Sequence, residues 1–350
     1  MSPSHPVSVR SFQLPAFILL AIAVLSIGSR DAWAGDTPEA EIFALNDTKG
    51  LNARAVKVDA VEFKGRKAVR LLKESEGDGM AFLQGVSFRD GTIEADVAVK
   101  LTTPAGVRNP GFIGIAFRTS EDGSHYEMFY IRPGNSQAAD QAMRNHSTQY
   151  VSMPNFDWEK LRRAWPWLYE SYADLQLETW TKIKLEIAER RASLYLNDSP
   201  HPALIVDGLK GEDLKGGVAL WGSPGQESYF SNVRVLHAMK AEAVSNDGEA
   251  AGEWQIRYSS DAGNYECSMQ LRREGNALTG TWSGAIGSNL PVYGTWRHGY
   301  LELTLNGVWP GHEGGPATAM LAGWIDGKVA RGRMKIEGHA DGQWTAKLKE

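Results

Sequence analysis

Short segments in which apolar and polar residues alternate recur along most of the chain. In the segment 91–99, GTIEADVAV, every second residue from Ile93 is apolar, and Glu94 and Asp96 lie between them. A period of two places successive side chains on opposite faces of a β-strand. Because turn residues separate the segments and almost none has the 3.6-residue period of a helix, we predict an all-β protein.

Most of these segments fall within residues 35–239. Strands with one apolar face are usually buried by packing two antiparallel sheets against each other. We therefore predict a jelly-roll β-sandwich over this range. Its one helical candidate is the segment 157–164, which Asp157 can cap and Pro166 can end.

A second pattern begins after the stretch 240–252, where small, acidic and glycine residues without alternation indicate a linker. About eight alternating segments of similar length follow, enough to close a small up-and-down antiparallel barrel, and we predict one over residues 253–350. The barrel is either a cup for an apolar ligand or an accessory module filled by its own Trp, Met and Leu side chains.

The stretch 125–172 stands out within the predicted sandwich. A strand-like run up to Arg132 leads into a connection much longer than usual, and such long loops are functional or disordered. Disordered segments are poor in aromatic residues, whereas this one is rich in them: Tyr150, Phe156, Trp158, Trp165, Trp167, Tyr169 and Tyr172. We predict an ordered loop that folds over the sheet.

This loop also carries planar hydrogen-bonding groups. Guanidinium and amide groups can bind sugar hydroxyls or a carboxylate, and ring faces can stack on a sugar. The combination is typical of a ligand pocket. The alternative is a loop pinned by its own hydrogen bonds, with the rings as a small core. The candidate ligand-binding residues are Arg132, Asn135, Gln141, Arg144, Asn145, Gln149, Trp158, Trp165, Trp167 and Tyr172.

Seven strand motifs, taken in order, resemble the concanavalin A-like lectin/glucanase superfamily, above all its laminin G-like, 3-keto-disaccharide hydrolase-like domains: GTIEADVAV, GFIGIAFR, YEMFYIRP, RNHSTQY, WTKIKLEI, GGVALWG and YFSNVRV. The resemblance implies a sandwich whose concave sheet and rim loops hold a carbohydrate or other ligand. In the second region, the recurring Gly-x-Trp of GTWSG, GTWRHG and GQWTAK resembles small lipocalin-like or avidin-like barrels.

The sequence leaves open whether the protein is an enzyme. Family 16 glycoside hydrolases, on this fold, carry an E-x-D-x-x-E motif, but here Val99 stands where the last acid would follow Glu94 and Asp96. Alternating acids are also common on a solvated strand face. If the protein is an enzyme, we expect a glycoside-hydrolase-like activity on a modified sugar without that motif. The candidate catalytic residues are then His146 and Asp140, since histidine transfers protons near neutral pH.

No cofactor is predicted. The sequence has neither H-E-x-x-H nor a Cys/His metal spacing, and it has no acidic loop of the D-x-D-x-D-G kind. Calcium is the one ion left open, because laminin G-like relatives often carry it. Cys267 is the only cysteine, so no internal disulfide can form, and we interpret it as a buried small apolar residue.

Residues 1–34 are predicted to be a cleaved export signal. Arg10 precedes the apolar run 16–28, which is short for a membrane span, and AWA at 32–34 fits a signal-peptidase site. An uncleaved anchor is the alternative. We expect an exported protein, periplasmic or extracellular, without a stable membrane span after cleavage.

The charge balance limits the kinds of molecule that the protein is expected to bind. The chain has 37 Lys and Arg residues against 42 Asp and Glu residues, and it has no large basic block, so nucleic acid is a poor partner. Carbohydrate is the expected ligand. The alternative is a non-catalytic envelope or scaffold protein that uses the sandwich for contacts with a protein partner.

Overall fold

The computed structural model describes residues 40–73, 79–211, 215–238, 248–260, 263–297, 299–309, 315–338 and 342–349. The predicted export signal and residues 239–247, which include most of the predicted linker, lie outside these ranges. Within them the chain folds into two packed sheets and a closed barrel, so the all-β prediction of a sandwich followed by a barrel is confirmed.

The elements that precede the barrel are β1 (Ala40–Phe43), β2 (Leu51–Arg54), β3 (Lys57–Phe63), β4 (Arg66–Leu72), β5 (Met80–Leu83), β6 (Gly91–Leu101), β7 (Ile113–Thr119), β8 (Tyr126–Ile131), α1 (Pro133–Ser136), α2 (Gln141–Arg144), β9 (Thr148–Met153), α3 (Trp158–Ala164), β10 (Glu170–Ser171), β11 (Thr181–Ala188), β12 (Arg191–Leu196), β13 (Leu204–Asp207), β14 (Gly217–Gly222) and β15 (Gln226–His237). One antiparallel sheet has the order β13-β12-β11-β6-β15-β4-β3, with β1 also paired to β15. The other has the order β10-β9-β8-β7-β14-β5-β2.

The core lies between these two sheets. The apolar face predicted for β6 is buried there, and Val97 meets Phe129 and Ile183 in one cluster of buried residues. The opposite face of β6 carries Glu94 and Asp96, which bond to arginine side chains. The period of two thus predicted correctly which side chains of β6 face the core.

The stretch 125–172 is ordered, as predicted, but it is not a single loop. It contains β9, which pairs with β8 along its whole length, and β10 at the edge of the same sheet. The sequence TQYVSM of β9 carries polar residues on both faces, so hydrophobic alternation did not reveal it. The predicted helix is present as α3, where the Asp157 carboxylate accepts from the Lys160 N–H at 2.8 Å.

The barrel strands are β16 (Gly252–Ser260), β17 (Gly263–Glu274), β18 (Ala277–Gly284), β19 (Gly287–Arg297), β20 (Tyr300–Gly307), β21 (Ala317–Asp326), β22 (Val329–Ile336) and β23 (Gly342–Leu348). Each pairs with the next, and β16 pairs with β23 to close the ring. The interior holds the side chains of Trp254, Trp282 and Trp344, each at most 1% exposed. These rings fill the space that a ligand cup would leave open.

The sandwich and the barrel belong to one compact unit, residues 38–350. Lys210, between β13 and β14, places its buried Nζ 2.9 and 3.0 Å from the two carboxylate oxygens of Glu302 on β20. Arg297 adds a bond from Nη1 to the Lys210 carbonyl at 3.0 Å. No helix in the described ranges is long and apolar enough to cross a membrane.

Candidate functional site

A groove lies on the face of the seven-stranded sheet that points away from the sandwich core. Residues directly opposite on paired strands share a face, and the register aligns Gln149, Tyr130, Gly114 and Trp221 in one row across β9, β8, β7 and β14. The groove has a volume of about 620 Å³. Its floor consists of alternate side chains from β8 and β9: Tyr126, Met128, Tyr130, Val151 and Met153.

Aromatic rings form the walls of the groove. Trp158, at the start of α3, stands on one side and is 44% exposed. Trp221 and Phe112 stand on the other side, where the rings of Trp221 and Tyr130 are 5.5 Å apart. Gly114 lies between them on β7, and a Cβ there would be 2.5 Å from the Tyr130 Cβ. The glycine therefore lets the floor ring lie close to the backbone.

Polar side chains surround the opening. Arg108 donates from Nη2 to the Asn135 side-chain oxygen at 2.7 Å. Asn109 donates to the Gly225 carbonyl at 3.1 Å and accepts from the Gly111 N–H at 2.9 Å. These bonds fix the rim before any ligand arrives. The polar rim residues are Lys73, Thr103, Arg108, Asn109, Asp157 and Ser223.

Buried polar side chains beside Tyr130 hold the floor in place. Arg132 donates from Nη2 to the Tyr130 hydroxyl at 2.8 Å and to the Gln149 side chain at 3.1 Å, and from Nη1 to the His146 carbonyl at 2.9 Å. Asn135 donates to the same carbonyl at 3.0 Å. Burial raises the pKa of Tyr130, so its phenol stays protonated and accepts the arginine bond. Arg132 thus positions a floor residue.

His146 and Glu170 lie in the same polar region. The His146 Nδ1 is 2.8 Å from a Glu170 carboxylate oxygen, but the two groups are out of line for a hydrogen bond. Arg162 of α3 holds that carboxylate through two nitrogens, at 2.8 and 2.6 Å. Burial lowers the pKa of His146, and the Glu170 charge opposes this only in part. The imidazole is therefore mainly neutral at neutral pH.

Four of the predicted residues bond within their own segment. The Asp140 carboxylate caps α2 by accepting from the Ala142 N–H at 2.9 Å. Arg144 donates to the Ala138 carbonyl at 2.6 Å and to Gln141, which donates to Asn145. These contacts match the alternative of a segment pinned by its own hydrogen bonds. Asp140 is thereby bonded to α2 and not to His146.

The remaining predicted rings lie outside the groove. Trp165 packs against Phe156 and Tyr169, with the Lys210 Nζ 4.3 Å from its ring. Trp167 and Tyr172 are 66% and 50% exposed on the segment around β10. Among the predicted ligand-binding residues, Trp158 lines the groove, and Arg132, Asn135 and Gln149 hold its floor and rim in place.

The sequence analysis missed most of the lining. One signal was present, since β8 is apolar on both faces apart from Glu127 and carries Tyr126 and Tyr130 on the face opposite that residue. A strand that is apolar on both faces needs a cover for each. Trp221 could not be linked to this face, because the pairing of β14 with β7 joins residues about a hundred positions apart in the chain.

Acidic groups are sparse in the groove. Glu94 and Asp96, of the incomplete motif, lie on the other sheet, where Asp96 is 2.6 Å from Arg66 and Glu94 is 3.4 Å from Arg234. Asp157 is the one carboxylate among the described residues that line the groove. Nor do the described residues bring three or more His, Cys, Asp or Glu side chains together in a group that could hold a metal ion.

A scan against protein-family models finds no match, and a search of the curated proteins finds none. Solved structures that resemble the chain include the carbohydrate-binding module CBM66 from Bacillus subtilis, at 15% identity and a TM-score of 0.37 over 53% of this chain and 94% of that one. A galectin-like protein of unknown function from Bacillus subtilis has 12% identity and a TM-score of 0.39 over 57% and 96%. A β-glucanase from Bacillus licheniformis has 12% identity and a TM-score of 0.36 over 58% and 100%. Lectin-like and glucanase folds were the resemblance seen in the strand motifs; similarity at these TM-scores carries no argument about the ligand.

Proposed function

We propose that the protein binds a carbohydrate in the groove over the seven-stranded sheet. One observation carries the proposal: Trp158 and Trp221 line the same groove over a tyrosine-lined floor, with polar groups around the opening. A sugar presents an apolar C–H face to rings and hydroxyl edges to polar groups. The volume of about 620 Å³ falls within the usual range for ligand sites, roughly 300 to 1,000 Å³.

The lining favours binding over hydrolysis. A glycosidase of the common kind needs two carboxyl groups on either side of the scissile bond, and Asp157, the one carboxylate in the described lining, already accepts from the first turn of α3. A hydrolytic role of His146 and Asp140 would appear as sugar release that is lost in His146→Ala and Asp140→Asn proteins that stay folded.

The test is a glycan array followed by titration calorimetry with the glycans that the protein retains. Trp158→Ala and Trp221→Ala should each weaken binding about tenfold or more, because a stacked Trp ring is a typical energetic centre of an interface. Tyr293→Ala is the matched control, since this ring is 62% exposed on barrel strand β19. Retention of no glycan, or unchanged affinity in both Trp variants, would refute the proposal. Protein pull-down without sugar competition would favour the scaffold alternative.

Export is part of the proposal and rests on the sequence of residues 1–34. Amino-terminal sequencing of protein from the periplasm or the culture fluid should begin at Gly35. A chain that still begins at Met1 in a membrane fraction would indicate the uncleaved anchor instead.

A further inference from the structure

Trp167 is an exposed ring in an unfavourable backbone conformation. Its side chain is 66% exposed, and its φ of 68° lies in the left-handed region that bulky residues rarely adopt. Its neighbours Trp165 and Tyr169 pack into the core. The fold therefore holds this ring at the surface although neither local preference nor burial favours it there.

A continuous series of contacts connects Trp167 with Trp158, the groove wall. The Trp158 ring lies 4.8 Å from the Arg162 guanidinium carbon, and Arg162 reaches the Glu170 carboxylate at 2.6 Å. Glu170 is 2.8 Å from His146, whose ring is parallel to that of Trp167 within 7°, with centroids 6.5 Å apart. We call these five residues the aromatic ladder.

The ladder is held rigidly at its centre. The Glu170 side chain is 2% exposed and is fixed by two nitrogens of Arg162. A buried, paired carboxylate keeps its partners in place because separating the charges is costly. The two Trp rings at the ends are thus presented to solvent by groups that cannot easily move.

We propose that Trp167, with the largely buried His146 ring beside it, forms a second stacking subsite, so that the ligand is a linear polysaccharide which leaves the groove past Trp158 and continues onto Trp167. The inference rests on the proposed carbohydrate binding and adds the length of the ligand. A mono- or disaccharide would contact the groove alone. A longer chain reaches both exposed rings, and additional contacts on one chain add to its affinity.

The test measures affinity against chain length by calorimetry, with cello-, laminari-, xylo- and fructo-oligosaccharides from disaccharide to octasaccharide. In the wild type, affinity for the series that binds should rise with length before it levels off. Trp167→Ala should weaken the longest oligomers about tenfold and leave the disaccharide unchanged. Trp167→Phe should restore part of the loss, and Tyr293→Ala should match the wild type.

The outcomes separate this inference from the proposed function. Affinity that does not depend on length, or a Trp167→Ala loss that is equal at every length, overturns the second subsite and leaves the groove intact. A dimer that dissociates in Trp167→Ala while all affinities stay unchanged assigns the ring to self-association and also overturns it. If the wild type binds none of the four series, the second subsite is overturned, while retention of any other glycan on the array still supports binding in the groove.

Discussion

The barrel interior and the groove are both rich in aromatic side chains, but the described barrel rings are buried together whereas the groove is open to solvent. In the barrel, β16 pairs with β23 to close the ring, and the inward side chains form one cluster of buried residues in which Trp282 is fully buried. The outer face of the seven-stranded sheet carries the open groove. Helix α3 covers one edge of it and leaves Trp158 and Trp221 apart. Aromatic content alone therefore does not distinguish the two regions. The groove differs from the barrel interior because its rings line an opening to solvent.

In both regions a glycine makes room for a nearby aromatic ring, but the ring fills the interior in one region and lines an open groove in the other. Gly323 on β21 would place a Cβ 2.6 Å from the Trp344 ring, so its absence makes room for a ring that fills the barrel. Gly114 on β7 makes room for Tyr130, which lines an open floor. Packing at close range is thus common to both regions, and closure distinguishes them.

The largest expected effect is on the stability of the barrel. Trp282→Ala removes a fully buried ring and should lower the free energy of unfolding by about 3 to 5 kcal/mol, measured by chemical denaturation. Glycan affinity at temperatures where the variant is folded should not change. A loss below about 1 kcal/mol would mean that the interior is not packed as described.

A matched pair of glycine substitutions compares the two regions directly. Gly114→Ala and Gly323→Ala each place a Cβ within 2.4 Å of a backbone oxygen, so each should cost about 1 to 3 kcal/mol of stability. Only Gly114→Ala should also weaken glycan binding, because it displaces the floor. Equal effects on binding would contradict the assignment of the site to the sandwich.

Sequence alternation was sufficient for β6, β11 and the strands of the closed barrel, because each of those strands has one apolar face. It was insufficient for the groove. In β9 the alternation was masked by Thr148 and Gln149, whose polar side chains bond to neighbours that only the tertiary fold supplies. Trp221 joined the site through a pairing of distant strands. Within 125–172, composition located an ordered segment but could not separate Trp158, which lines the groove, from Trp165, which packs inward.

A smaller effect should appear in the pH dependence of the free energy of unfolding, and it should come from His146 near the groove floor. Burial lowers the pKa of His146 below its ordinary value of about 6.5, so the unfolded chain takes up a proton first as the pH falls. The contribution of this group to stability is complete above that value and decreases below it. His146→Gln should flatten the decline of unfolding free energy between pH 7.5 and pH 5, whereas the exposed His201→Gln should not. An unchanged slope in His146→Gln would place His146 in solvent.

The smallest expected effect concerns the reactivity of Cys267, the thiol of the barrel. Burial raises the pKa of Cys267 to about 11, and the side chain is 6% exposed. Because the thiolate is the reactive form, the native protein should not react with an aromatic disulfide reagent at pH 8, and one thiol should react on unfolding. Rapid reaction in the native state would show that the barrel wall is open there.

The central claim is that the ligand meets the tryptophans of the groove and not those of the barrel. The sequence has 12 tryptophans, of which Trp33 lies in the predicted export signal. The most direct measurement follows the indole N–H signals of the other 11 by two-dimensional NMR, assigned by single substitutions, while a retained glycan is titrated in. We expect glycan binding to shift the signals of Trp158 and Trp221. The signals of Trp254, Trp282 and Trp344 should stay in place. Movement of the three barrel signals with Trp158 and Trp221 unchanged would contradict the central claim.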